Sequence, residues 1–330
     1  MASSGTAPPI IVVLGPTASG KSGFALELCA RISGELISVD SAQVYRGMDI
    51  GTAKPNAEER ARVPHHLIDI CDPTEAYSAA RFAEDAPRVI AEVQARGRVP
   101  VLCGGTMLYL RALFAGLSDL PRADATLRAD IAARAEALGW PALHAELAQV
   151  DPETAARLHP NDRTRIQRAL EITQLTGQPA SARRDGGSRP GARLGPAAFV
   201  RWTPHARPAL HAAIEMRFQQ MIEAGLLDEV RRLHARGGLH ADLPAIRAVG
   251  YRQLWGFVEG RSDWETAVAA AIKATKLLAK RQMTWLSGGL VDALLVHRGS
   301  TVFNVMEHTT VTAVQTWCDN WVHNSGTLQE

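Results

Sequence analysis

A chain of 330 residues, 46% hydrophobic and with a formal charge of only +2, has the length for a large α/β domain and a smaller one. That balance excludes a globally basic, nucleic-acid-coating protein, so any surface for a polyanion must come from local segregation of arginine and lysine. Cys29, Cys71, Cys103 and Cys318 form no C-x-x-C pair, which argues against a zinc module or a disulfide framework, and no apolar run approaches the roughly 18 to 20 residues of a membrane span. With no basic leader at the start, the expected setting is a reducing cytoplasm, away from membranes.

In chain order, the apolar run Ile10 to Leu14 predicts a strand and Ser22 to Arg31 a helix. Between them lies Gly15-Pro-Thr-Ala-Ser-Gly20-Lys21-Ser22. The pattern G-x-x-x-x-G-K-[ST] in a strand-to-helix turn is a phosphate loop: glycines let the backbone bend around phosphates and the helix dipole adds positive potential. Lys21 is placed to reach a terminal phosphate and the Ser22 hydroxyl to ligate Mg²⁺. The loop recognises a chain of phosphates and does not disclose what hangs from it.

Gly34 to Asp40 reads as a second strand ending on an acid, Ala79 to Arg96 as a helix, and Val99 to Gly105 as a buried strand followed by Thr106. Strands alternating with helices predict an α/β fold, a P-loop NTPase-like parallel sheet flanked by helices. Ligands of such sheets sit at the carboxyl ends of strands, so Ser22, Asp40 and Thr106 are expected to converge.

From about Ser118 strand signals vanish, and short helices are expected over Asp124 to Leu138, Trp140 to Val150, Asp151 to Leu158 and Asp162 to Thr176. The last has Asn161 or Asp162 as N-cap and Gly177 as stop. Its wheel places Ile166, Ala169, Leu170 and Thr173 on one face and Thr164, Arg165, Arg168 and Glu171 on the other. Ser181 to Gly195 reads as a flexible basic loop. Between Arg157 and Arg193 eight arginines face three acids, a local excess of +5, which suits a polyanion as well as an ordinary solvated face.

Sheet character returns at Ala197 to Trp202, followed by helices over Arg207 to Ala224 and Leu226 to Arg236 and a long helix from Ser262. A capping box of Ser262 with Glu265 is expected there. Its Lys273, Lys276 and Lys280 form one stripe, opposite Trp264, Ala267, Ala271, Ala274, Leu278 and Trp285. Leu290 to Val296 suggests an edge strand and Val302 to Val322 a helix. The expected domains are residues 1–117 and 197–330 as the two parts of the α/β core, with 118–196 as a helical insertion.

Asp40 is the sharpest chemical candidate beyond the phosphate loop. A carboxylate at a strand end beside such a loop suits Mg²⁺ held through water or general-base work, with a helix or turn cap at Ser41 as the plainer alternative. Gly104-Gly105-Thr106 brings backbone and a hydroxyl towards the same centre, or is simply a tight turn.

Together these motifs resemble one family, the tRNA dimethylallyltransferases, also called tRNA isopentenyltransferases. The carriers are the phosphate loop, Ser38-Val-Asp-Ser-Ala-Gln-Val-Tyr-Arg-Gly-Met-Asp-Ile-Gly-Thr-Ala-Lys-Pro55, Gly104-Gly-Thr-Met-Leu-Tyr109, His159-Pro-Asn-Asp162 with Arg168-Ala-Leu-Glu171, Ala248-Val-Gly-Tyr-Arg252, and Lys280-Arg-Gln-Met-Thr-Trp285. They run in order over nearly the whole chain. Ser287 departs from the pattern where a basic residue is common, and the zinc finger of some eukaryotic members is absent.

The resemblance implies that the loop, Gly15, Pro16, Thr17, Ala18, Ser19, Gly20, Lys21 and Ser22, grips the diphosphate of dimethylallyl diphosphate, helped by Arg217, with Mg²⁺ on Ser22. It implies transfer of the prenyl group to N6 of adenosine 37 in the anticodon stem-loop of tRNAs that read codons beginning with U, with Asp40 as base and Thr106 as positioning group. It places the tRNA on Asp40, Ser41, Ala42, Gln43 and Thr106 at the reaction channel, and on Arg128, Thr164, Arg165, Ile166, Gln167 and Arg168 in the insertion. The remaining contacts it implies are Arg247, Ala248, Val249, Gly250, Tyr251 and Arg252, then Lys280, Arg281, Gln282, Met283, Thr284, Trp285, Leu286 and Ser287. A monomer is the default. A small-molecule kinase would share the loop and sheet but leave the basic motifs after Ala248 without a task, and a regulatory GTPase would need N-K-x-D and D-x-x-G motifs that the chain does not supply together.

Overall fold

Burial on both faces of a sheet explains why Ile10–Leu14 is apolar at every position and forms the first strand, β1. In the computed structural model, residues 8–118, 120–121, 123–184, 188–195, 197–203, 206–288, 300–305 and 311–324 are described. They divide into two compact units, one of Met1–Ala115 with Gly191–Glu330 and one of Gly116–Pro190. Among the described residues no helix is long and apolar enough to cross a membrane.

The first unit starts with β1, then α1 (Lys21–Ile32), β2 (Gly34–Val39), α2 (Ala57–Arg62), β3 (His65–His66), α3 (Ala79–Ala95), β4 (Val99–Gly104) and α4 (Met107–Phe114). In the second unit a strand pair of two residues each, β5 (Leu117–Ser118) and β6 (Ser188–Arg189), runs antiparallel. Between them come α5 (Ala125–Leu138), α6 (Trp140–Val150), α7 (Pro152–Arg157), α8 (Arg163–Thr176) and α9 (Ala180–Arg184). The first unit resumes with β7 (Ala197–Trp202), α10 (Arg207–Glu223), α11 (Leu226–Ala235), α12 (Tyr251–Val258), α13 (Trp264–Ser287), β8 (Thr301–Val305) and α14 (Val311–Asn324).

Six parallel strands lie in the order β3-β2-β4-β1-β7-β8. Alternation sorts their side chains. Ile10, Val12, Leu14, Ile37, Leu102 and Phe199 pack on one face with Phe82 and Ile90 of α3, Leu110 of α4, Leu254 of α12 and Ala271 of α13. On the other face Ile11, Val13, Val101 and Val200 pack with Phe24 and Leu28 of α1 and Val314 and Cys318 of α14. β1, central in the order, carries the phosphate loop on its carboxyl end.

Several local expectations change. The cap of α13 is Asp263, whose carboxylate accepts the Thr266 N–H at 2.7 Å, so the Ser262 capping box does not form. Asp162, not Asn161, caps α8. The helix expected over Val302 to Val322 is a strand followed by α14, because Thr301–Val305 finds an open parallel edge at β7. Part of the expected basic loop is ordered as α9 and β6. The edge strand expected at Leu290 to Val296 lies outside the described residues.

Candidate active site

Strand ends assemble the site. β1 delivers the phosphate loop, in which Gly20 takes a left-handed φ of 84° before α1 begins at Lys21. Trp202, ending β7, braces that loop: its indole N–H donates to the Ser19 carbonyl at 2.7 Å while its ring stacks on Phe24, centroids 4.3 Å apart. Lys21 Nζ donates to the Pro16 carbonyl at 3.1 Å, and the Arg217 guanidinium of α10 donates to Thr17 Oγ1.

β2 delivers Asp40 and β4 delivers Thr106, side by side. A Cβ on Gly104 would sit 2.1 Å from the Val39 carbonyl oxygen, a gap that admits glycine alone. That approach lets the Thr106 N–H donate to Val39 O at 3.2 Å and Thr106 Oγ1 accept the Ser41 N–H at 3.1 Å. Asp40 Oδ1 accepts the Ala42 and Gln43 N–H groups at 2.8 and 3.4 Å, which orients the carboxylate and leaves Oδ2 without a hydrogen bond among the described residues.

Lys21, Ser22, Asp40, Thr106 and Arg217 line one cavity of about 480 Å³, so the expected convergence is realised. Its wall is chemically divided. The loop and Arg217 supply cations and N–H groups, whereas Ile214, Phe218, Met221 and Leu278 supply apolar surface from α10 and α13. Burial pushes the Lys21 ammonium below its ordinary pKa; Cys103 opposes the shift, Arg217 adds to it and Asp40 opposes it. Burial likewise lowers Arg217, with Asp40 opposing. A bound anion would reverse both shifts by giving each cation a partner. Burial also pushes the Cys103 thiol up to about 11, against the pull of Lys21.

The loop over Asp49–Ala53 closes another side. Glu229 of α11, 2% exposed, accepts the N–H groups of Asp49 and Ile50 at 2.9 Å each and of Gly51 at 3.2 Å, and the Tyr251 hydroxyl at 2.5 Å. Lys54 Nζ, its side chain 1% exposed, pairs with Asp49 of the same loop and with Asp69 at 2.6 Å each. Gln43 is held within it, its amide donating to the carbonyls of Thr52 and Ala53 and accepting from Ser38.

A family model described as IPP transferase matches residues 43–288. The chain belongs to the IPP transferase family. It is similar to the tRNA dimethylallyltransferase of Bordetella parapertussis, 59% identical over 279 residues that cover 84% of this chain and 89% of that one. The Aromatoleum aromaticum tRNA dimethylallyltransferase is 58% identical over 281 residues, covering 84% and 87%. Among solved structures, the full-length tRNA isopentenylpyrophosphate transferase of Bacillus halodurans matches at TM-score 0.63 and 35% identity, over 98% of this chain and 99% of that one. A eukaryotic dimethylallyltransferase acting on tRNA matches at TM-score 0.75 and 25% identity, over 96% and 80%.

Not every residue expected on an RNA surface reaches one. Gly250 and Tyr251 are buried, Tyr251 against Glu229, while Arg247 and Arg252 are exposed and Arg247, Ala248 and Val249 line the cavity. Along α13, Lys280, Arg281, Thr284, Trp285 and Ser287 are exposed, Met283 is half-buried, and Leu286 and Gln282 face inward. Trp285 therefore does not belong to the packed face of α13, and Lys276 is paired with Glu215 at 2.5 Å.

Within the helical unit Ile166 is core, and Thr164 and Arg165 are exposed. Glu171, expected on the outer face of α8, is fully buried. Arg128 grips it at 3.0 Å through two nitrogens, Arg168 at 2.7 Å and the Asp124 N–H at 2.8 Å. Arg168 also donates to the Pro121 carbonyl, and Gln167 to that of Arg128. Arg128, Gln167 and Arg168 thus spend hydrogen bonds inside this unit.

One residue of the site escaped the sequence reading. Glu229 follows Leu226 and precedes Val230 on the buried stripe of α11, and an acid within an apolar stripe was the available signal. Gln282, placed among the RNA contacts by the resemblance, faces inward.

Proposed function

We propose that this chain is a tRNA dimethylallyltransferase that moves the dimethylallyl group of dimethylallyl diphosphate to N6 of adenosine 37 in tRNAs reading codons that begin with U. The observation that carries the reading is the cavity in which Asp40 and Thr106 face Lys21, Ser22 and Arg217. A weak amine nucleophile needs a base at one end and a stabilised leaving group at the other, and both ends are present.

Lys21, Arg217 and the loop N–H groups bind the diphosphate, whose charge grows as the C1–O bond breaks. Ile214, Phe218, Met221 and Leu278 suit the prenyl chain and exclude water from the carbon that becomes electron-poor. Asp40, fixed by two backbone N–H groups, takes the N6 proton as the N6–C1 bond forms, and diphosphate leaves with the electron pair of the broken bond. Thr106 holds the Asp40–Ser41 turn in place. No group of three or more His, Cys, Asp or Glu among the described residues could hold a metal alone. The Ser22 hydroxyl in the same cavity does suit Mg²⁺ completed by diphosphate and water, a pairing common for this ion. When bound, it would neutralise leaving-group charge.

The acceptor base must leave its stack to reach a half-buried carboxylate. Exposed Lys280 and Arg281 on α13 and exposed Arg247 and Arg252 earlier in the chain suit the RNA backbone, with affinity that falls with salt. The test is transfer of labelled dimethylallyl diphosphate, with Mg²⁺, to an unmodified tRNA carrying adenosines at 36 to 38. Label on that RNA and none on one with guanosine at 37 is expected. Label on neither, with tight ATP or GTP binding instead, would return the chain to a kinase or GTPase reading.

A further inference from the structure

Gln282 is 9% exposed, and its amide joins two loops distant in sequence. Its Oε1 accepts the Thr17 N–H of the phosphate loop at 2.8 Å, and its Nε2 donates to the Gly105 carbonyl at 3.0 Å. Thr17 Oγ1 in turn accepts from Arg217, and Gly105 is followed by Thr106, whose hydroxyl accepts the N–H of Ser41 beside Asp40. One polar path therefore runs from the diphosphate end of the cavity to the base, and Gln282 is its central link.

We propose that Gln282 is a positioning residue that sets the separation between the phosphate loop and the Gly105–Thr106 loop, and so between the leaving group and the base. This rests on the prenyl-transfer reading of the same cavity.

The side-chain requirement is specific. The two partners need one acceptor and one donor side by side on a single planar carbon, which the carboxamide provides. Glutamate would keep the acceptor for Thr17 and set a second oxygen against the Gly105 carbonyl. Methionine would keep the volume and lose both bonds. The fit is close: a Cβ on Gly105 would lie 2.2 Å from Gln282 Nε2, so that residue must be glycine for the amide to enter. The same turn of α13 exposes Lys280 and Arg281, so the link lies beneath the surface that suits RNA without belonging to it.

The test compares wild type with Gln282→Met and Gln282→Glu by single-turnover transfer, by tRNA affinity and by calorimetric binding of inorganic pyrophosphate, at a temperature where circular dichroism shows each variant folded. A misplacement of about 1 Å is enough to lose on the order of 100-fold in rate, so a fall of roughly 10- to 100-fold is expected in kcat for both variants, with tRNA Kd within about twofold of wild type. Pyrophosphate binding is expected to weaken several-fold in Gln282→Met. Unchanged kcat in a folded Gln282→Met, or a loss confined to tRNA Kd, would overturn the proposal. A wild type that transfers nothing would overturn the prenyl-transfer reading instead, and pyrophosphate binding would then decide whether Gln282 shapes the phosphate loop. A variant unable to fold at any temperature would leave Gly105→Ala to judge: full turnover with the extra methyl in place would sink the idea.

Discussion

Replacing Asp40 by asparagine separates the charge of this side chain from its shape. The asparagine oxygen can still accept from the Ala42 N–H at 2.8 Å and the Gln43 N–H at 3.4 Å, so the turn and the fold survive. What disappears is the base and one negative charge close enough to oppose the depressed pKa values of Lys21 and Arg217. A positioned general base contributes about 10² to 10⁴ in rate, or roughly 3 to 5 kcal/mol at about 1.4 kcal/mol per tenfold. With enzyme in excess over labelled substrate, the Asp40→Asn single-turnover rate should fall by that factor. The sign for binding is opposite: with the carboxylate gone, positive potential in the cavity rises, so pyrophosphate should bind as well as or better than before. Less than a tenfold loss in rate, or a loss traced to weaker diphosphate binding, would refute the assignment of Asp40 as base.

Glu229→Ala leaves three part-buried backbone N–H groups and a buried tyrosine hydroxyl without their acceptor; with about 1 to 3 kcal/mol for each unsatisfied buried group and partial relaxation, urea unfolding should show a loss of about 3 kcal/mol, and a loss below about 1 would contradict the bracing role. Glu171 titrates below its ordinary value: burial raises its pKa, but the hydrogen bonds from Arg128, Arg168 and the Asp124 N–H outweigh it. Its contribution is therefore fully present above the unfolded carboxyl value near 4.5 and is lost as pH falls through the lower folded value. Glu171→Gln should flatten that acid limb, followed by urea unfolding at a series of pH values, and cost roughly 3 kcal/mol at pH 7 by breaking a buried pair; an acid limb identical to wild type would show that another carboxylate sets it.

The sheet, the phosphate loop and the convergence of Ser22, Asp40 and Thr106 were legible because each rests on local pattern: an apolar run, a glycine spacing, an acid at a strand end. Glu171 was misjudged for a physical reason. A helical wheel ranks residues by polarity, and a carboxylate held by two arginines can be buried where an unpaired one cannot, so the inner and outer faces of α8 do not follow the polarity rule. The Asp263 cap was missed by one position because serine and aspartate both suit the role, and only the geometry of the entering chain chooses. β8 was read as helix because an edge strand draws its stability from a partner far away in the chain.

The motifs of the second half gain meaning when each is divided into an outer and an inner set. In Ala248-Val-Gly-Tyr-Arg252 the arginine is exposed, whereas Tyr251 is buried against Glu229 and fills the space beside Gly51, where a Cβ would lie 2.6 Å from its ring. In Lys280 to Trp285 the cations are exposed and Gln282 reaches the phosphate loop. Each motif thus joins a surface suited to polyanions to a side chain that shapes the cavity, across less than one helical turn. That spacing has a consequence for mutagenesis. Truncating an outer residue such as Arg252 should act on RNA affinity and its salt dependence, while truncating Tyr251 next to it should move the Asp49–Ala53 loop and change turnover. Neighbours in sequence are therefore expected to fall into different kinetic classes, divided by helix face.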